Sequence, residues 1–167
     1  DDGDVLPVGE IGEICIKGHN IMMGYWNNPG ATEAAVRDGW LLTGDIGRLD
    51  EDGYIYITDR KKDMLLVNGI NVYPREVEEV IYQFDGIKEV AVIGETDLRK
   101  GDLVVACVVA DDGSDLDESD LLAFLKTKLA AYKLPRKVMQ IDALPRTATG
   151  KILKTKLREL TTNQGFN

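Results

Sequence analysis

The amino-acid sequence predicts an α+β fold: a small β-rich subdomain over residues 1–59, then a compact α+β domain over residues 60–167 with helices packed on a small sheet. Three observations predict it. Residues 1–59 hold 12 Asp and Glu against 3 Lys and Arg, whereas residues 60–167 hold 17 of each, so the net charge of -9 sits entirely in the first part. The first part alternates short apolar runs with turn residues and has no long helical stripe. The second part alternates β-branched apolar runs with two stripes of helical spacing, the pattern of helices laid on a sheet.

Composition narrows the function classes. With 167 residues and 44% hydrophobic content the chain can bury a core, and it is neither disordered nor fibrous. No apolar run approaches the roughly 20 residues that span a bilayer, and no basic-apolar leader opens the chain, so a cytoplasmic protein without an integral membrane segment is expected. The chain opens Asp1-Asp2-Gly3 without an initiator methionine, which points to a processed or excised piece. Cys15 and Cys107 lie far apart inside strand-like runs; they suggest neither a metal motif nor a disulfide, and both are expected to be buried thiols. The single histidine, His19, stands beside Gly18 in a turn with no nucleophile to serve, which excludes a triad enzyme.

Each element follows from local chemistry. Residues 11–18 (I-G-E-I-C-I-K-G) form a strand, residues 31–36 a short helix with Thr32 near its cap, and residues 39–42 a strand that ends in a Thr43-Gly44-Asp45 turn. Asp50-Glu51-Asp52-Gly53 is a hairpin loop between strands 46–49 and 54–58. Five consecutive charged residues, 59–63, form a surface connection, and after the apolar strand 64–67 the Asn68-Gly69 dipeptide makes a tight turn. Pro74 opens a helix whose stripe is Val77, Val80, Ile81 and Phe84, ended by Asp85-Gly86. Residues 90–94 and 103–110 are central strands separated by a polar loop over 95–102. Asp117 caps a helix carrying Leu121, Leu122, Leu125, Leu129 and Tyr132, which Leu134-Pro135 stops. Residues 138–141 are a short strand, and residues 151–160 a short basic helix.

Residues 133–158 carry eight basic side chains against Asp142 alone, a segment that suits an anion: the phosphates of a small molecule or of a nucleic acid. Only Tyr132 at its edge could stack on a base and the whole chain is acidic, so nucleic acid is not the expected partner. On spacing alone Lys151 is a solvated lysine at a helix start, Asp45 a turn aspartate capping its own backbone, and Gly69 a turn glycine.

Five ordered segments carry a resemblance that runs through nearly the whole chain. They are G-E-I-C-I-K-G with G-Y-W-N-N-P, G-W-L-L-T-G-D at 39–45, D-R-K-K-D at 59–63 followed by N-G-I-N-V-Y-P-R-E-V-E, and P-R-T-A-T-G-K at 145–151. The sequence resembles the C-terminal portion of the adenylate-forming acyl-CoA synthetases, the AMP-dependent synthetase and ligase superfamily, in wording most similar to long-chain fatty acyl-CoA ligases. The resemblance implies a two-step ligase. A carboxylate, expected to be a fatty acid, reacts with ATP and Mg2+ to give an acyl-adenylate and pyrophosphate, and the thiol of coenzyme A then displaces AMP.

The same resemblance implies roles residue by residue. Lys151 would be the catalytic lysine that contacts carboxylate and phosphate oxygens; a cation there offsets the charge of the phosphorus transition state. Asp45 would bind the ribose diol with Arg60 beside it, and Lys62 would be the hinge about which a mobile C-terminal domain swings. Gly69 would face the site in the second step, where a missing side chain lets pantetheine pass. The family often has Gly-Glu where this chain has Gly101-Asp102, which leaves the role of that acid open. No Ser/Thr/Gly-rich phosphate loop is present, so an N-terminal domain is expected to be missing and the piece to be nearly inactive alone. An aryl-CoA ligase, a luciferase-like enzyme or a peptide-synthetase adenylation domain would share these motifs. A non-enzymatic anion- or nucleic-acid-binding module, or a pure interaction domain, remains the reading from another class.

Overall fold

The computed structural model describes residues 3–97, 101–114 and 116–163. The chain divides after Lys62 into two compact units.

The first unit is one antiparallel sheet built on a long strand. The strands are β1 (Gly12–Ile16), β2 (Val36–Arg37), β3 (Trp40–Leu49) and β4 (Ile55–Arg60), with one short helix, α1 (Pro29–Ala35). β3 pairs with β1, with β2 through its first residues, and with β4 through its second half. Three expectations are corrected. Thr43-Gly44-Asp45 does not end a strand but sits inside β3, because Gly44 takes φ +72 and the β1 register skips there, which absorbs the turn as a bulge. The cap of α1 is Asn28 rather than Thr32: the Asn28 Oδ1 accepts from the Ala31 amide at 3.1 Å and Pro29 takes the first helical position. The charged run also begins earlier than a surface connection would, since Asp59 and Arg60 belong to β4 and Asp59 is buried. A single 3-10 turn, Lys61–Asp63, follows.

The second unit is a sheet covered on both faces. It comprises β5 (Leu65–Val67), β6 (Ile70–Val72), β7 (Ile87–Asp97), β8 (Gly101–Ala110) and β9 (Lys137–Gln140), with α2 (Pro74–Ile81), α3 (Glu118–Lys126) and α4 (Lys154–Asn163). β7 and β8 form a long antiparallel ladder from Ile87↔Ala110 to Asp97↔Gly101. β9 joins β8 in parallel, and β5 meets β8 at Val67↔Gly101. Val90, Val92, Val104, Ala106 and Val108 pack with Val77, Ile81, Leu121 and Leu125 on one face. Ala91, Ile93, Val105, Cys107 and Val109 pack with Met139, Leu144 and Leu157 on the other. Burial on both faces is why β7 and β8 read as nearly continuous apolar runs.

The outer edge of β7 is closed by side chains from α2 and from Tyr82, the residue that caps the C-terminus of that helix. The Val92 amide donates to Glu78 Oε1 at 2.8 Å and the Val90 amide to the Tyr82 hydroxyl at 3.3 Å. An open strand edge would otherwise invite pairing with another chain. The expected 95–102 loop is shorter than its polarity suggests, because Glu95–Asp97 and Gly101–Asp102 continue the ladder; residues 98–100 lie outside the described residues. The helix expected to reach Tyr132 ends at Lys126, where the Thr127 hydroxyl donates to the Phe124 carbonyl at 2.7 Å and caps the last turn.

Candidate functional site

In the first unit the sheet register brings Asp45 and Arg60 together. They stand opposite one another on β3 and β4, with Arg60 Nε 2.8 Å from Asp45 Oδ1. The bulge is held from both directions. The Thr43 hydroxyl donates to the Ile14 carbonyl at 2.7 Å while accepting from the Asp45 amide at 3.0 Å. The Gly44 amide donates to Glu13 Oε1 at 3.1 Å, and Glu13 Oε2 accepts from Lys61 Nζ at 2.8 Å. Glu13 and Lys61 thus brace the segment that aims Asp45, and sequence reading missed both. The only signal was a glutamate inside a strand-like run. Asp45 keeps a partly exposed carboxylate able to accept from a vicinal diol.

Lys62 is exposed and is the last residue of the first unit. In the second unit Gly69 occupies the β5–β6 turn, where Asn68 and Gly69 both take positive φ (+50 and +81), the turn that suits a two-residue hairpin. A Cβ built on Gly69 would meet nothing within 4 Å, so the glycine lies open. Asp102 now has a place: its Oδ2 accepts from the Leu66 amide at 2.9 Å and fastens this hairpin to β8.

Lys151 precedes α4 rather than lying in it, on a closed loop. The Thr147 amide donates to the Lys151 carbonyl at 2.8 Å, the Lys151 amide to Thr147 Oγ1 at 3.1 Å, and the Gly150 amide to the Thr147 carbonyl at 2.9 Å. Lys151 is exposed, and no ion-pair partner for its ammonium is found among the described residues. The rest of the basic segment is different. Lys133, Arg146 and Lys154 pair with Glu76, Glu89 and Glu78, and Lys137 and Arg158 also have partners. Carboxylates distant in sequence thus take three of the eight basic side chains of this segment, and Lys151 is not among them.

The two loops sit at opposite ends of the β7–β8 ladder. The Gly69 hairpin joins at Val67↔Gly101, beside Asp97, whereas Arg146, at the base of the Lys151 loop, grips Glu89. Eight residues of strand separate Glu89 from Asp97, roughly 27 Å at ~3.4 Å per residue.

The cysteines correct one expectation. Cys107 is buried as expected, but Cys15 is exposed on the outward face of β1. Burial pushes the Cys107 thiol up to about 11, against a small opposing pull from Lys137. Partial burial and the neighbouring Glu13 charge raise Cys15 as well, with Lys61 opposing them. Neither is a reactive thiolate. His19 lies exposed in a turn, and no cluster of three or more His, Cys, Asp or Glu suited to a metal exists among the described residues. Nor is any helix among them long and apolar enough to cross a membrane.

Comparison with known proteins places the chain among relatives. The AMP-binding enzyme C-terminal domain family matches residues 76–151, ending on Lys151. Feruloyl-CoA synthase of Amycolatopsis sp is 48% identical over 93% of this chain and 32% of its own length. Long-chain-fatty-acid–CoA ligase FadD13 of Mycobacterium tuberculosis is 50% identical over 95% of this chain and 31% of its own. ATP-bound MatB from Rhodopseudomonas palustris superposes with a TM-score of 0.89 at 43% identity, covering 95% of this chain and 32% of that one. The chain spans about a third of the length of the curated relatives it matches. It belongs to the adenylate-forming, AMP-binding enzymes, and it carries their C-terminal domain.

Proposed function

We propose that this chain is the C-terminal part of an AMP-forming acid–CoA ligase that makes an acyl-adenylate from a carboxylic acid and ATP, then an acyl-CoA thioester. The first unit, through Lys62 rather than residue 59, is read as the last β subdomain of a larger N-terminal domain, and the second unit, from Asp63, as a mobile domain turning about Lys62. The observation that carries this reading is the placement of Lys151 and Gly69 on loops at opposite ends of one ladder. A rigid domain with such loops can offer one or the other to a single site, not both. Adenylation and thioester formation need different surroundings: a cation at crowded phosphate oxygens, then an open path for a thiol.

Lys151 is exposed and, among the described residues, uncommitted to a carboxylate, so its charge is available to oxygens that become more negative in the transition state. The lysine presents a compact, mobile ammonium on an ordered loop. Asp45 accepts from the ribose hydroxyls while Arg60 holds its carboxylate in place, and the braced bulge keeps both directed. Magnesium accompanies ATP as part of that substrate. The acid is proposed to be a fatty acid, in keeping with the long-chain ligases among the relatives.

Support for a larger parent comes from the first unit itself. Its buried apolar side chains are Ile14 and Ile46, while Trp26, Trp40, Tyr54, Ile55 and Ile57 are among many exposed apolar ones. A sheet with so little core is stabilised by packing on something else. A cytoplasmic location is part of the proposal and agrees with two free thiols.

The test is ATP–pyrophosphate exchange by the full-length ligase with a panel of fatty and aryl acids, wild type against Lys151→Ala. Exchange supported by fatty acids and lowered at least ~100-fold by the substitution is expected. Exchange that is unaffected by Lys151→Ala would remove the lysine from the reaction.

A further inference from the structure

The Lys151 loop closes on itself through bonds that never leave it. Thr147 and Lys151 exchange backbone and hydroxyl bonds, the Thr147 and Thr149 hydroxyls lie 2.8 Å apart, and Arg146 pairs with Ile152 as a lone antiparallel bridge. Such closure fixes the shape of the loop but not the direction in which it points from the domain. Leu144 and Ile152 on its flanks pack against the core, and Arg146 adds a polar tie from the loop itself to the sheet. The Arg146 Nη1 donates to the Gly150 carbonyl at 2.8 Å, and its Nη2 donates to Glu89 Oε1 at 2.5 Å. The Gly150 carbonyl belongs to the peptide that leads into Lys151, and Gly150 takes φ +85, where a glycine backbone has the most freedom to turn.

We infer that Arg146, anchored by Glu89 on β7, is a positioning residue for Lys151: it locks the Gly150–Lys151 peptide plane to the sheet and so fixes where the ammonium reaches. This rests on the reading of Lys151 as the adenylating lysine. The planar guanidinium suits the task because two of its N–H groups can serve a carbonyl and a carboxylate at once in fixed geometry, which a lysine ammonium cannot reproduce. The pair is partly exposed, at 42% for Arg146 and 32% for Glu89, so its removal leaves the buried cores intact. Neither residue needs to touch a substrate. The effect is one of aim: misplacing a catalytic group by about 1 Å can cost on the order of 100-fold in rate.

The experiment is a double-mutant cycle in the full-length ligase, comparing Arg146→Ala, Lys151→Ala and the pair by ATP–pyrophosphate exchange. Arg146→Lys, Glu89→Gln and thioester formation from pre-formed acyl-adenylate complete the set. Arg146→Ala is expected to lower kcat of exchange roughly 10- to 100-fold with KM for ATP within about twofold, Arg146→Lys to rescue little, and Glu89→Gln to reproduce part of the loss. The thioester half-reaction is expected to stay within about twofold, and Arg146→Ala to add nothing once Lys151 is already alanine. Exchange within about twofold of wild type in Arg146→Ala, or a full additional loss in the double variant, would overturn the inference while leaving Lys151 in its role. Equal losses in both half-reactions would overturn it too, since they mark general disruption. If Lys151→Ala itself leaves exchange unchanged, the reading of Lys151 falls and the inference falls with it. Amide hydrogen exchange on the present chain reads the geometry without any catalytic assumption: the Lys151 amide is expected to exchange at least ~10-fold faster in Arg146→Ala, and an unchanged rate would refute the lock.

Discussion

Arg60 Nε lies 2.8 Å from Asp45 Oδ1 across the β3–β4 ladder, the two residues standing directly opposite in register. The pair is open to solvent, with the Arg60 side chain 55% exposed and that of Asp45 29%. Exposed pairs contribute under about 1 kcal/mol to folding. Asp45→Ala and Arg60→Ala are therefore expected to change the stability of this chain by less than ~1 kcal/mol in urea unfolding. In the full-length ligase the same variants are expected to raise KM for ATP about tenfold or more, the loss of a charge-assisted hydrogen bond to the diol. A large stability loss with unchanged KM would make the pair a structural one.

Glu78 is the opposite case. Its Oε1 accepts from Lys154 Nζ at 3.0 Å and from the Val92 amide at 2.8 Å, and both charged side chains are about four-fifths buried (relative exposures 19% and 20%). Glu78→Ala leaves an ammonium and an edge amide without a partner, a loss expected to be about 3 kcal/mol. Glu78→Gln keeps the acceptor and should lose less. Equilibrium denaturation of the two variants checks this, and equal losses would show that packing rather than the carboxylate matters.

Alkaline pH should weaken the second unit through Cys107. The folded state holds this proton more tightly than the unfolded chain does, with a pKa of about 11 against the ordinary 9.0. The contribution of the neutral buried thiol is therefore complete below pH 9 and is lost as pH rises from 9 through 11. Cys107→Ala should flatten that part of the stability profile. At neutral pH a thiol reagent is expected to label Cys15 in the native chain and Cys107 only after unfolding; rapid native labelling of both would contradict the burial.

Gly69→Ala separates turn chemistry from function. The φ of +81 makes any L residue strained there, by about 1–2 kcal/mol, but no atom within 4 Å resists the methyl group. The isolated chain should fold with that modest loss, measured by thermal unfolding. Failure to fold would make Gly69 a packing residue.

Much of the second unit was legible because its signals are local. The Asn68-Gly69 turn, Pro74 at a helix start, Asp117 as a cap and the two apolar runs each act within a few residues, and each appears where its chemistry puts it. Other features were hidden because the deciding contact is distant in sequence. Thr43-Gly44-Asp45 looks like a turn until Glu13, more than thirty residues away, takes the Gly44 amide and keeps the strand going. In the segment 133–158, Lys133, Lys154 and Arg146 cannot be told from Lys151 until Glu76, Glu78 and Glu89 pair with them. Of the candidate site, the partnership of Asp45 with Arg60 followed from resemblance, whereas the Arg146 grip on Gly150 and Glu89 had no sequence signal because Glu89 is 57 residues upstream.

The most direct measurement is of the two half-reactions in the full-length ligase for Lys151→Ala and for a bulky replacement, Gly69→Leu. Loops at opposite ends of one ladder should fail separately. Lys151→Ala should abolish pyrophosphate exchange yet convert supplied acyl-adenylate to thioester at the wild-type rate, and Gly69→Leu should do the reverse. If either variant impairs both half-reactions equally, one arrangement serves both steps and the alternation of the two loops is contradicted.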